Sequence, residues 1–368
     1  MDALAAVARE PHAPFTIENI VIESPRVGEV LVEIEAVGIC HTDLAARDGA
    51  LPTALPAVLG HEGCGVVREV GPGVTKVAPG DRVGITFNSC GRCPSCTAGA
   101  PSYCHQFMHL AYDGTRDDGS GPITTEGGER LTGMFFGQSS FGTHALAFER
   151  NVVKVPSDVP AEILAPLGCG LQTGAGAVLN SLNCTPESSL VVAGAGSVGL
   201  AAVMGAVVRG LSTIIAVEPH ASRRELALEL GATHVIDPTS GPVPEQVRAI
   251  LPGGVDYAID SSGVPAVIES LLGSVTFHGK IGLIGVPADP EASIPLTIIN
   301  TLAMGVTITG IIEGDSVPDK FIPELVSLYK AGKFPVDKLV TAFPFAKIND
   351  AIDAQHRGEV LKPVLVHS

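Results

Sequence analysis

Tryptophan is absent from these 368 residues, and the aromatic complement is twelve phenylalanines and four tyrosines. Positive charge is scarce too: 23 lysines and arginines stand against 39 acids, a formal net charge of −16. So acidic a surface repels phosphate backbones and anionic lipids, which argues against nucleic-acid or membrane binding. No secretory signal is expected, because the apolar start Met1–Val7 runs into Arg9 and Glu10 without a cleavage pattern. The uncharged run Ser188–Val208 has the length of a membrane helix, but four glycines between Val191 and Gly205 break it. No internal repeat and no low-complexity tail is visible.

Cysteine is used sparingly, with eight in the chain, and half of them fall within fifteen residues. Cys90, Cys93, Cys96 and Cys104 form C-x2-C-x2-C-x7-C, a spacing that lets a short loop wrap one tetrahedral structural zinc. Clustered thiols without an export signal imply metal-bound thiolates in a reducing cytoplasm rather than a disulfide framework. A zinc-ribbon transcription factor needs a basic face, and the net charge opposes one. Cys40, His61 and Cys169 are left over as candidates for a second metal with three protein ligands. A closed four-thiolate site beside an open Cys-His-Cys site suggests zinc used as a Lewis acid. Cys64 and Cys184 read as small buried hydrophobes.

At this length two domains are expected. The first 150 residues read as short strands and turns, with Val30–Val37 and Gly63–Val70 as strands and Gly114–Gly128 as a surface excursion. From Ser189 the rhythm changes to strand, helix, strand. Leu190–Ala193, Thr213–Val217, His234–Ile236, Tyr257–Asp260 and Ile281–Val286 alternate with helices, which predicts a doubly wound parallel sheet.

Gly194-Ala195-Gly196-Ser197-Val198-Gly199 is G-x-G-x-x-G between an apolar strand and a helix. In that context it is a dinucleotide fingerprint: a tight turn, close approach of the pyrophosphate, and helix–strand packing. Glu218 ends the second strand nineteen residues later. An acid there accepts from ribose hydroxyls and repels a 2′-phosphate, so NAD is preferred to NADP; Arg223 works against that preference.

The runs Gly38-Ile39-Cys40-His41-Thr42-Asp43, Gly60-His61-Glu62-Gly63 and Gly168-Cys169-Gly170 stand in this order around the four-cysteine lobe and ahead of the fingerprint. Over nearly its whole length the chain resembles the zinc-dependent alcohol dehydrogenases of the medium-chain dehydrogenase/reductase superfamily. The stretches ALPAVLGHEGCGVV, FFGQSSFGTHAL and APLGCGLQTGAGAVLN are most similar to the aryl (benzyl) alcohol dehydrogenases within it.

This resemblance implies an α/β protein: a β-rich GroES-like catalytic domain over 1–170, with 309–368 returning to it, and a central NAD-binding Rossmann domain over 171–308. It implies two zinc ions and NAD. Cys40, His61 and Cys169 become the catalytic zinc ligands, with the fourth position left for water or the alcohol oxygen. Thr42 takes the alcohol proton, Asp43 orients the zinc histidine, and Glu62 is the acid behind the metal. The histidine that often ends the proton relay is replaced by Ala45, leaving His41 either as the terminal base or as a pyrophosphate contact. Thr173, Ile284 and Val286 match nicotinamide contacts, and Lys362 matches a basic residue on the pyrophosphate. Phe87, Phe135 and Phe136 match positions lining the substrate cleft, which favours a flat, apolar alcohol.

The implied reaction is NAD-dependent oxidation of primary aryl or allylic alcohols. The same chemistry on monoterpenoid alcohols such as geraniol or perillyl alcohol is the alternative. A non-catalytic binding protein on the same fold is disfavoured by intact Cys40, His61, Cys169 and Thr42. The run Asn300–Thr309 matches a dimer-forming edge strand, so a homodimer or homotetramer is expected.

Overall fold

The structure, a computed structural model, describes residues 1–367. It divides into two compact units: Met1–Cys169 with Val317–Ser327 and Val336–Ser368, and Gly170–Ser316 with Leu328–Pro335.

The first unit is built on two sheets. A five-stranded sheet runs Ala57–Val58, Asp2–Ala8, Thr16–Ile22, Ile123–Thr125, Arg130–Leu131. A seven-stranded sheet runs Val152–Lys154, Arg82–Ile85, Gly63–Val70, Glu29–Gly38, Lys362–Val366, Val340–Pro344, with His144–Phe148 also paired to Glu29–Gly38. Alternating apolar residues from these strands, Ile20, Ile22, Val30, Val32 and Ile34 among them, close over one core. Each such side chain contributes roughly 1.5–3 kcal/mol by leaving water. The expected surface excursion Gly114–Gly128 is partly ordered, because Ile123–Thr125 pairs with Thr16–Ile22.

Two features of this unit position chemistry. Glu29–Gly38 leads into a short helix, His41–Arg47, whose N-cap is Cys40. The C-terminal strand Lys362–Val366 lies antiparallel to Glu29–Gly38, with Val364 opposite Gly38. A residue more than 300 positions away is thereby delivered beside the Cys40 loop.

The second unit is a six-stranded parallel sheet. Its strands in chain order are Ser189–Ala193, Thr213–Val217, His234–Ile236, Val255–Asp260, Val275–Leu283 and Thr307–Gly310, and their spatial order is 3-2-1-4-5-6. Ser189–Ala193 is buried throughout, as a central strand with covered faces must be. This is the doubly wound dinucleotide-binding topology, whose ligand crevice lies where the strand order reverses.

Two sequence expectations need correction here. The fifth strand spans Val275–Leu283, earlier than the expected Ile281–Val286, so Ile284 and Val286 lie past its end. Asn300–Thr309 is not one edge strand. Ile298–Met304 is helical, closed by Gly305 in the left-handed region (φ 63°), and only Thr307–Gly310 joins the sheet edge. No helix among the described residues is long and apolar enough to cross a membrane.

Candidate active site and metal centres

The first centre is assembled from three loops. Cys40 caps the helix His41–Arg47, His61 and Glu62 precede the strand Gly63–Val70, and Cys169 follows the turn Ala165–Gly168. One ligand atom from each of Cys40, His61, Glu62 and Cys169 lies within 4.8 Å of the others. His61 is fully buried, and its Nδ1 lies 2.7 Å from Asp43 Oδ1. Asp43, itself buried, also accepts from the backbone N–H groups of Cys40 (2.9 Å) and Gly60 (3.1 Å).

With Nδ1 committed to Asp43, His61 Nε2 is left buried without a hydrogen-bond partner. A buried nitrogen without a hydrogen-bond partner beside two thiols is placed as a metal ligand would be, and one nitrogen with two sulfurs suits zinc. The thiolate character of Cys40 agrees. A hydrogen bond from Cys169 is the main influence holding Cys40 well below the usual thiol range, although burial opposes it. Burial resists charge on His61, but Asp43 and Cys40 outweigh it and raise its pKa.

Glu62 is closed off from this cluster on its far side. Lys362 Nζ lies 2.7 Å from Glu62 Oε1 and 2.6 Å from Oε2, and donates to the Ile39 carbonyl at 3.2 Å. Burial pushes the Glu62 carboxyl up to about 7 against the pull of Lys362. Lys362 was expected on a pyrophosphate. Here its side chain is buried and its ammonium is taken up by Glu62, so it supports the metal loop from within. Thr42 is half-buried, with Oγ1 3.7 Å from Cys40 Sγ, while His41 on the same helix is exposed.

Phe87, Phe135 and Phe136 are all core residues of the first unit. Phe135 and Phe136 pack on the His61 ring itself. Their turn is strained: Met134, Phe136 and Ser139 have φ of 63°, 52° and 54°. Each such residue costs on the order of 1–2 kcal/mol, which surrounding bonds must offset. Ser139 Oγ donates to the Val58 carbonyl at 2.6 Å, and Gln138 Nε2 donates to the His61 carbonyl at 2.8 Å. Gln138, whose Oε1 also accepts from Gly63 N–H at 3.1 Å, was missed as a site residue. The only signal for it was a polar Gln-Ser-Ser embedded between phenylalanines.

The second centre is Cys90, Cys93, Cys96 and Cys104, whose sulfurs lie within 4.8 Å of one another. Backbone N–H groups aim at them: Cys93 to Cys90 Sγ (3.3 Å), Cys90 to Cys104 Sγ (3.2 Å) and His105 to Cys93 Sγ (3.4 Å). Such donors favour thiolate; at Cys93 they bring the pKa down to about 6. Burial pushes Cys104 up to about 12, so an ion would have to draw out its thiolate; four thiolates so arranged would surround one ion with no open position, as a structural site requires.

In the second unit a cleft of about 500 Å³ opens at the carboxyl ends of the strands, lined by Gly194, Gly196, Ser197, Glu218, His220 and Arg223 among others. Val198 and Gly199 line it too. Gly194 has φ 94°, and a Cβ on Gly199 would come within 1.9 Å of the Gly194 carbonyl. Neither tolerates a side chain. The helix Ser197–Arg209 starts there, so its unpaired N–H groups and dipole face a bound anion. The Glu218 carboxylate accepts from Ala195 N–H (2.9 Å) and His220 N–H (3.0 Å), which fixes it at the cleft wall. Thr173 sits apart from this cleft lining, its hydroxyl 3.5 Å from Glu313 Oε2.

Two clusters of candidate metal ligands and a glycine-lined cleft at the strand ends are the parts that a zinc- and nicotinamide-dependent oxidoreductase requires. Residues 26–157 match the alcohol dehydrogenase GroES-like domain, and residues 197–331 match the zinc-binding dehydrogenase domain. The chain belongs to the zinc-dependent alcohol dehydrogenases of the medium-chain superfamily. It is 47% identical to a geraniol dehydrogenase of Castellaniella defragrans over 367 residues, covering 100% of this chain and 98% of that protein. Among solved structures it is similar to an alcohol dehydrogenase zinc-binding domain protein of Burkholderia ambifaria, at TM-score 0.98 and 48% identity, covering 100% of this chain and 99% of that one. It is also similar to the benzyl alcohol dehydrogenase of Acinetobacter calcoaceticus, at TM-score 0.97 and 43% identity, covering 100% of both chains.

Proposed function

We propose that this alcohol dehydrogenase oxidises primary alcohols whose carbinol carbon is attached to an unsaturated carbon, aryl or allylic, with NAD as hydride acceptor. The observation that carries the reading is the orphaned His61 Nε2 between two thiols, held in one tautomer by Asp43. The substrate class is supported by the benzyl alcohol and geraniol dehydrogenases it is similar to, both of which act on alcohols of this kind by name.

Cys40, His61 and Cys169 would hold the zinc, which would supply Lewis acidity, and the cleft beside Gly194–Gly199 would hold the NAD, which would supply the hydride acceptor. Thr42, beside Cys40, receives the hydroxyl proton. His41, exposed on the same helix, is placed to exchange that proton with water; a pyrophosphate contact is its other role. Glu62, held by Lys362, keeps a carboxylate behind the ligands without displacing them. Buried Glu218, facing the cleft with both oxygens fixed, disfavours a 2′-phosphate and supports NAD over NADP.

A homodimer is part of the proposal. Ile298, Ile299 and Leu302 are 81%, 68% and 74% exposed on the helix just before the edge strand Thr307–Gly310, an apolar surface that a second copy would cover. None of the eight cysteines is in a disulfide, which supports a reducing, cytoplasmic setting.

Steady-state kinetics with benzyl alcohol, geraniol and ethanol, each with NAD and NADP, test the reading. It expects kcat/KM for the first two to exceed that for ethanol by at least about a hundredfold, a difference of roughly 2.7 kcal/mol in transition-state binding. Equal efficiency with ethanol contradicts the substrate class.

A further inference from the structure

The His61 imidazole is gripped on more than its hydrogen-bonding edge. The Phe136 ring lies face to face with it, centroids 4.7 Å apart and planes 29° apart. Phe135 meets it edge-on at 5.7 Å and 80°. Behind Phe136, Tyr112 (5.5 Å, 85°) and Phe107 (6.0 Å, 84°) hold that ring in turn. The Asp43 hydrogen bond fixes Nδ1 but still lets the imidazole tilt about it. A face stack removes that motion, because tilting would drive the imidazole into the Phe136 ring.

We propose that Phe136 is a positioning residue for His61: by stacking on the imidazole it keeps Nε2 aimed between Cys40 and Cys169, and so sets how long the catalytic zinc is retained. This differs from the role as substrate-pocket wall that the sequence suggested. Two observations support it. Phe136 is buried, with 4% of its surface exposed, and its nearest aromatic neighbour is the ligand ring. It also adopts a left-handed backbone (φ 52°), a conformation that bulky residues keep only where the surroundings impose it. The same turn reaches His61 a second time, through Gln138 and the His61 carbonyl. One short segment thus grips both the main chain and the ring of this ligand.

The inference rests on His61 being a zinc ligand, and its test separates the two claims. The full-length chain, loaded with zinc, is challenged with a chelator, and zinc release is timed with a metal-sensitive dye. Wild type, F136L, F136Y and F87L are compared, F87L being a phenylalanine-to-leucine change elsewhere in the same core. The proposal expects one of the two zincs to leave F136L at least about tenfold faster than wild type. The other zinc should leave at the wild-type rate, as should both zincs of F136Y and F87L. In F136L, kcat should fall more than KM rises. Wild-type zinc release from F136L, with only the KM for the alcohol altered, overturns the proposal. Equal acceleration in F87L overturns it as well. A wild-type chain that binds only one zinc refutes instead the three-ligand centre beneath it.

Discussion

Asp43 Oδ1 lies 2.7 Å from His61 Nδ1, and both side chains are completely buried. This contact decides which imidazole nitrogen carries the proton, and hence that Nε2 presents its lone pair to the cluster formed by Cys40 and Cys169. An aspartate that also accepts two backbone N–H groups is itself held rigidly. Replacing it by asparagine keeps the shape but removes the charge. D43N should therefore bind the catalytic zinc about 10–100-fold more weakly, with kcat reduced in parallel. Elemental analysis during dialysis should show one zinc lost per chain while the four-cysteine zinc stays.

The four-cysteine lobe makes the converse prediction. C96A leaves three thiolates where a closed site needs four, so that zinc should be lost while the catalytic one is kept. Because metal binding is folding free energy for such a lobe, residues 90–106 should become cleavable by protease at low concentration. Residual alcohol oxidation with a lowered Tm would separate this structural site from the catalytic one.

Glu218 sits at the wall of the dinucleotide cleft, its oxygens held by Ala195 and His220 N–H groups. E218A should raise the KM for NAD by about tenfold or more and lower that for NADP, as the carboxylate no longer repels a 2′-phosphate and Arg223 is left facing the cleft. Titrating both dinucleotides against wild type and variant checks this. An unchanged NAD to NADP ratio would remove Glu218 from the specificity argument.

His367 gives a pH prediction independent of the metals. It stacks on Phe345 (4.3 Å, 29°), its Nε2 is buried without a partner, and burial brings its pKa from 6.5 down to about 4. The unfolded chain therefore binds this proton more readily than the folded one between those values. Stability from this group is complete above pH 6.5 and falls as pH drops toward 4, by on the order of 2 kcal/mol. In H367F, the loss of stability between pH 7 and pH 4.5, followed by urea denaturation, should be smaller by that amount.

What the sequence disclosed depended on how local each signal was. The four cysteines and the glycine fingerprint are short-range patterns whose spacing already encodes geometry, and the structure places each in one loop. Cys40, His61 and Cys169 span 130 positions, so their convergence was suggested by chemistry and by resemblance rather than by spacing. Lys362 was misplaced because a lone lysine carries no trace of its partner. Only the pairing of Lys362–Val366 with Glu29–Gly38 brings it to Glu62. The stacking of Phe135 and Phe136 on His61 was illegible for a related reason: residue type does not reveal which ring a phenylalanine packs against. The apolar run Asn300–Thr309 was read as an edge strand from its resemblance to the family's, although Leu302, Ala303 and Met304 are good helix formers and Gly305 supplies the stop. Apolar runs this short fit either element, and the local residues decided it.

The central claim is that Cys40, His61 and Cys169 hold a zinc through which this chain oxidises unsaturated primary alcohols with NAD. The most direct measurement is NADH formation from benzyl alcohol and from geraniol by the two-zinc chain, repeated with C169A. The account predicts turnover with both alcohols in the wild type. C169A should keep the four-cysteine zinc and fold normally, yet produce NADH at least about a thousandfold more slowly. A chain that holds both zincs and forms no NADH from either alcohol, or a C169A variant that turns over at the wild-type rate, would contradict it.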